Sequence, residues 1–154
     1  MSNPIWFDHA LKDFGEHEIP GPEANPRVLE ALRHTTLPAD MKKTDETANC
    51  SAYMCMWFEE VGMDSPHSAA ARSWLKWGIP LEAPVKGCVV ILNRGGSPDP
   101  LEPGPGHVTL FDRSLSDNWI RCFGGNQSDQ CKYSQYKSAD VLGYRWPEGV
   151  ELPA

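Results

Sequence analysis

The chain has 154 residues, a formal net charge of −7, 40% hydrophobic and 23% charged residues, which is the composition of an ordinary globular domain. It contains no run of lysines and arginines with interleaved aromatic residues, so we expect no nucleic-acid partner. The apolar stretches, such as "CVVIL" at 88–92, are far shorter than the roughly 18 residues of a membrane span, so the sequence predicts no membrane insertion.

The N-terminal residues carry no export signal. "MSNPIWFDHALKDFGEHE" contains acidic residues and a proline, but no basic region followed by an apolar core. We therefore expect a protein that is made in the cytoplasm without a signal peptide. No repeat or linker divides the sequence, which predicts a single domain over residues 1–154.

The first half of the chain is predicted to be helical. A first helix is expected within residues 3–15, and a second opens at Pro26, where the first turn of a helix tolerates proline. The strongest helix begins at Cys50 and ends near Gly62, because its apolar residues recur at helical spacing. A short fourth helix is predicted at 68–78.

After Gly78 the pattern changes to short segments rich in β-branched and aromatic residues, separated by Gly, Pro, Asn and Asp. These segments are predicted to be antiparallel strands at 87–94, 106–114, 118–125, 131–137 and 141–147. A long loop rich in proline and glycine, 95–106, leads to His107. Helices followed by strands favour an α+β domain in which the helices pack on one antiparallel sheet.

Cys50 is the candidate nucleophile. A thiolate is the reactive form of cysteine, and the backbone N–H groups at a helix N-terminus stabilise it. His107 is the candidate base, since strand alternation sets it on one face with Thr109 and Phe111, where its ring could rest against a facing helix. We interpret His9, His17, His34 and His67 as surface or capping residues.

A histidine base needs an acceptor that fixes its tautomer and ring angle. Asn126 lies one hairpin away from His107, and Gln127 is the alternative, because the sequence does not determine the strand register. Cys55 and Cys88 are predicted to be buried packing residues. Cys122 and Cys131 flank the same segment and could form a disulfide across the hairpin in an oxidising compartment.

Several motifs occur together in one order: "DETANCSAYMCMWFEEVG", "KGCVVILNR", "GHVTLFD", "FGGNQSD" and "VLGYRWP". Over residues 25–147 the chain resembles the cysteine peptidoglycan hydrolases of the NlpC/P60 and CHAP superfamily, and in particular a small branch found in phage lysins and cell-wall hydrolases. This resemblance implies a papain-like fold in which Cys50 is the nucleophile, His107 the general base and acid, and Asn126 the residue that orients His107.

The resemblance further implies a monomeric catalytic domain that cleaves an amide bond of the peptidoglycan stem peptide, as an endopeptidase or an N-acetylmuramoyl-L-alanine amidase. Asn49, Gln127 and Trp74 are the expected substrate-binding residues. The chain departs from the family pattern at Asn49, where a tryptophan is usual, and at Gly124, where some CHAP members have a glutamate. The second departure favours a triad over a tetrad.

Three other interpretations use the same residues: a zinc site, a wall-binding module and an acyltransferase. The spacings of Cys50 with Cys55 and of Cys122 with Cys131 lack the paired knuckles of structural zinc, so we expect no metal and no cofactor. A non-catalytic wall-binding module and an acyltransferase of the same fold remain open. Without a signal peptide, release by a phage holin or by a secretion system would bring the protein to the periplasm or cell wall, and a secreted effector would have an immunity protein as its partner.

Overall fold

The computed structural model describes residues 3–15, 26–36, 50–127 and 130–153, and these ranges form an α+β arrangement. The helices are α1 (Ile5–Leu11), α2 (Pro26–Arg33), α3 (Cys50–Glu60), and two 3₁₀ helices, Ala71–Lys76 and Ser138–Asp140. The strands are β1 (Ile79–Leu81), β2 (Val89–Asn93), β3 (Gly106–Ser114), β4 (Trp119–Gln127), β5 (Gln130–Lys137) and β6 (Val141–Trp146). The predicted α+β class, with helices before strands, is confirmed.

The six strands form one antiparallel sheet in the order β1-β6-β2-β3-β4-β5. The five predicted strands are confirmed as β2 to β6. The sequence did not predict β1, which has three residues, contains Pro80 and lies at the edge of the sheet. A proline is tolerated there because an edge strand has N–H groups without a ladder partner.

Helix α3 is the central helix, and every residue from Cys50 to Phe58 is buried. Its predicted start at Cys50 is confirmed, as is its stop at Gly62, whose φ of +82° is one that glycine adopts without steric cost. None of the helices in the described ranges is long and apolar enough to cross a membrane. The predicted fourth helix is a shorter 3₁₀ helix, since Ala70, just before it, has an extended backbone and donates its N–H to Ser68 Oγ.

Both faces of the central strands are buried, including residues 89–92 on β2 and 107–112 on β3. One face packs on α3, where Phe123 of β4 contacts Trp57 with ring centroids 5.8 Å apart. On the other face, Tyr144 of β6 contacts Phe111 at 6.5 Å between ring centroids. The two rings meet across β2, which separates β6 from β3.

A polar network joins the three α-helices. Asp13, just after α1, accepts two hydrogen bonds from Arg27 of α2, at 2.8 and 3.0 Å, and one from Trp57 Nε1 of α3, at 2.8 Å. Arg27 also donates to Glu60 at the end of α3. Asp13 is only 5% exposed, so its charge depends on these donors in place of water.

Candidate active site

Cys50 is the first residue of α3, and its side chain is 4% exposed. Burial raises the pKa of its thiol, and the nearby backbone N–H groups of Val108 and Ser51 act in the opposite direction. Since the N–H groups of a strand point within the plane of its sheet, the sulfur lies beside the backbone of β3. The helix terminus thus brings Cys50 to the strand residue that directly follows His107.

Opposing effects act on the Cys50 thiol. Burial raises the pKa of Cys50 above its ordinary value, and this is the largest effect. The N–H groups of Val108 and Ser51 and the positive charge of Arg94 lower the pKa, but by less. The resting form is therefore the neutral thiol, and thiolate formation requires a base at the site.

The first turn of α3 is fixed by a short chain of hydrogen bonds. Trp74 Nε1 donates to Ser51 Oγ at 2.8 Å, and Ser51 Oγ donates to the carbonyl of Ser68 at 2.6 Å. Trp74 is fully buried, so the predicted role of Trp74 as a substrate-binding surface is corrected. Its indole instead anchors the residue next to Cys50.

His107 lies on β3 and is 3% exposed. Its ring is 5.4 Å, centroid to centroid, from the ring of Tyr136 on β5. By alternation from Leu110, which pairs with Phe123, the Cβ of His107 leaves β3 on the other side from that of Leu110. The ring packs on Tyr136, and the prediction that it also rests against the facing helix stays a prediction.

The two residues predicted to orient His107, Asn126 and Gln127, lie at the end of β4. The backbones of Asn126 and Gln127 belong to β4, while their side chains and the whole of Asn49 lie outside the described residues, so their predicted roles stay predictions. A Cβ atom at Gly125 would overlap Tyr53 Cδ2, so β4 lies directly against the first turns of α3.

Two further residues near the site were not anticipated from the sequence. Leu92 pairs with His107, and Arg94 lies just after the end of β2, where its backbone N–H donates to the carbonyl of Pro105 beside the start of β3. Tyr136 contacts His107 as described; burial raises its pKa, and the proximity of Cys50 adds to this effect. The pairing of β2 with β3 would have identified Arg94, whereas the contact of Tyr136 with His107 reaches across β4, which lies between β3 and β5.

The other four cysteines are free and fully buried. Cys55 lies in the core with its sulfur 3.7 Å from the carbonyl of Ser68, and Cys88 is buried just before β2, as predicted. Cys122 pairs with Ser134, which lies three residues from Cys131 on β5. Because side chains alternate along a strand, Cys122 and Cys131 point to opposite faces of the hairpin. This register does not form the disulfide considered from the sequence.

The remaining described histidines contact acidic side chains near the helix ends. His9 lies 2.8 Å from Glu60, His34 lies 2.8 Å from Glu59, and His67 lies 3.0 Å from the same Glu59. In the described part of the chain, no three His, Cys, Asp or Glu side chains form a group able to hold a metal ion. The predicted surface and capping roles agree with these contacts, whereas His17 lies outside the described residues.

Comparison with the models of known protein families gave no match, and no similar sequence was found among curated proteins. The functional interpretation therefore depends on the chemistry of the residues themselves.

Proposed function

We propose that the protein is a papain-like cysteine hydrolase that cleaves an amide bond of the peptidoglycan stem peptide. The observation that carries the proposal is the position of Cys50: it is the first residue of a buried helix, and the backbone N–H of Val108, the residue after His107, is among the groups that lower its raised thiol pKa. A cysteine and a histidine at one site are the elements of nucleophilic acyl transfer. The fold class, with a central helix against an antiparallel sheet, is compatible with the papain-like architecture.

In the proposed mechanism, His107 takes the proton of Cys50, and the thiolate attacks the carbonyl carbon of the scissile amide. The C–N bond then breaks as His107 returns the proton to the leaving amine, and an acyl-enzyme remains. Water, activated by His107, releases the acyl group. Backbone N–H groups at the start of α3, including that of Cys50, stabilise the oxyanion, and Asn126 or Gln127 orients the imidazole.

The biological setting follows from the sequence resemblance and is part of the proposal. The enzyme acts as an endopeptidase or an N-acetylmuramoyl-L-alanine amidase, either as a phage endolysin or as a secreted antibacterial effector. It reaches the periplasm or cell wall through a holin or a secretion system. In the effector case, an immunity protein is its expected partner.

Digestion of purified peptidoglycan tests this proposal. We expect the wild type to release soluble fragments and Cys50→Ala to release none, while Cys55→Ala, which truncates a cysteine in the same helix, retains activity. Circular dichroism checks that each variant is folded. Mass spectrometry of the fragments distinguishes cleavage between sugar and peptide from cleavage within the stem.

Other outcomes would replace the proposal. Full activity of Cys50→Ala would refute the thiol mechanism. Retention of the protein on the wall without fragment release would favour the binding module. Transfer of the acyl group to an added amine in preference to water would favour the acyltransferase.

A further inference from the structure

Arg94 is a cation without a carboxylate partner at the candidate active site. Its side chain is exposed, and no salt bridge joins it to any acidic residue among those the structure describes. It directly follows β2, whose last residue, Asn93, pairs with Gly106, the residue before His107. Burial raises the pKa of Cys50, and the positive charge of Arg94 is among the smaller effects that lower it.

A second arginine reinforces the positive charge at this end of the sheet. Arg72 is 8% exposed, and its guanidinium donates to neutral oxygens only: Asn93 Oδ1 and the carbonyls of Ser97, Asp99, Glu102 and Pro105. The acids of the same loop do not cancel this charge by pairing with Arg72. Asp99 presents its carbonyl to Arg72, while its carboxylate accepts the N–H of Leu101 at 2.9 Å.

The loop that Arg72 holds is the one that positions Arg94. Arg94 donates its N–H to the carbonyl of Pro105 at 3.4 Å, and Arg72 Nε donates to the same carbonyl at 3.2 Å. Gly106 follows at the start of β3 and pairs with Asn93. Arg72 and Arg94 are therefore linked through the carbonyl of Pro105, just before the strand that carries His107. Of the two residues, Arg94 is the exposed one, so its guanidinium can contact a ligand.

We infer that Arg94 binds a carboxylate of the substrate, so that the site selects acyl compounds with a free carboxylate close to the bond that Cys50 attacks. The planar guanidinium is suited to this, because it offers two parallel N–H donors to the two oxygens of a carboxylate. In a protein with a net charge of −7, a local cation is also needed to admit an acidic substrate. This inference rests on the proposed function, since it assigns a substrate class to the same site.

Alkylation of Cys50 with iodoacetate and iodoacetamide tests the inference without any peptidoglycan. In both reactions the thiolate sulfur forms a bond to carbon and iodide leaves, but only iodoacetate carries a carboxylate. Arg94 also affects the fraction of Cys50 that is present as thiolate. Dividing the rate constant for iodoacetate by that for iodoacetamide removes this fraction, because both reagents react with the same thiolate. Peptide mapping by mass spectrometry assigns the modification to Cys50.

We expect Arg94→Gln to lower the iodoacetate to iodoacetamide ratio about two- to fivefold at low salt, as for an exposed ion pair. Arg94→Lys should keep most of the ratio. Arg113→Gln is the matched control, because Arg113 is an exposed arginine near the far end of β3, and it should leave the ratio unchanged.

The outcomes separate this inference from the proposed function. An unchanged ratio in Arg94→Gln, with Cys50 still reactive, overturns only the carboxylate site. Failure of both reagents to modify Cys50 overturns the reactive thiol as well. With stem peptides as substrates, Arg94→Gln should reduce kcat/KM for the free acid and spare the peptide whose carboxylate is amidated, and equal losses for both would contradict the assignment.

Discussion

At Cys50, burial raises the thiol pKa, whereas nearby backbone N–H groups and the charge of Arg94 lower it, and burial has the larger effect. Such a residue is protected from accidental modification but cannot react without a base. The position of His107 beside the strand backbone that meets the sulfur supplies a candidate for that base. The neutral resting state therefore makes the histidine, and not the helix terminus alone, the expected source of reactivity.

His107→Gln tests this division of roles. We expect kcat for peptidoglycan cleavage to fall by about 10²- to 10⁴-fold, the usual contribution of a general base. The residual activity should increase with pH above neutrality, because without a base the thiolate forms only as pH approaches the raised pKa of Cys50. A pH profile of initial rates measures both effects, and an unchanged rate at pH 7 would contradict the role of His107.

Asp13 is another buried polar group, and its carboxylate accepts hydrogen bonds that stabilise the fold. Asp13→Asn removes the charge that Arg27 and Trp57 donate to, so we expect the free energy of unfolding to fall by about 2 to 3 kcal/mol. The matched control is Glu30→Gln, which breaks the exposed pair of Glu30 with Arg33 and should change stability by less than about 0.5 kcal/mol. Urea denaturation measures both, and equal effects would contradict the importance of burial.

At the scale of the elements, the contact of β4 with α3 depends on a missing side chain. Gly125 lies against the ring of Tyr53, and we expect Gly125→Ala to destabilise the protein by about 1 to 3 kcal/mol through overpacking. Tyr53→Ala should remove most of this penalty, since it deletes Cγ and Cδ2, the two atoms nearest to the new methyl group. A double-mutant cycle by denaturation gives the coupling, and additive effects would show that the strain lies elsewhere.

The elements themselves were largely predictable from local pattern. The start of α3 at Cys50 and the full extent of β3 follow from apolar periodicity and from the glycines that bound these segments. The short edge strand β1 was missed, because three residues with a central proline give no alternation to recognise. Its pairing depends on β6, which is about sixty residues away in sequence.

The candidate site was predictable in part. Chemistry and residue order identified Cys50 and His107, but burial of Trp74 and the contact of His107 with Tyr136 depend on tertiary packing. Arg94 escaped notice because its place near Cys50 follows from the register of β2 with β3. No local pattern encodes that register without knowledge of which strands pair.

For the whole molecule, the buried thiols make stability sensitive to alkaline pH. Burial raises the pKa of Cys88 to about 12 and also raises the pKa values of Cys50, Cys55 and Cys122. The unfolded chain loses its thiol protons near pH 8.5 while the folded chain keeps them, so this stability is complete below that pH and is lost above it. For each thiol with a strongly raised pKa, the free energy of unfolding falls by about 1.4 kcal/mol per pH unit above about pH 8.5.

Denaturation between pH 7 and pH 11, with a reductant present, measures this effect. We expect the free energy of unfolding to be nearly constant up to about pH 8.5 and then to decline. Cys88→Ala should have a shallower decline, because one of the titrating thiols is gone, even though the truncation lowers stability at pH 7. A wild-type profile that stays flat to pH 11 would contradict the burial of the thiols.

The order of the strands also decides when the chain can fold during its synthesis. β6 lies between β1 and β2, where Trp146 pairs with Ile79 and packs on Trp6 with ring centroids 5.1 Å apart. Until β6 leaves the ribosome, β1 has no neighbouring strand and β2 has an open edge, and such edges promote aggregation. The domain therefore depends on its last strand to close, and a premature stop before residue 141 leaves a nascent chain with both edges exposed.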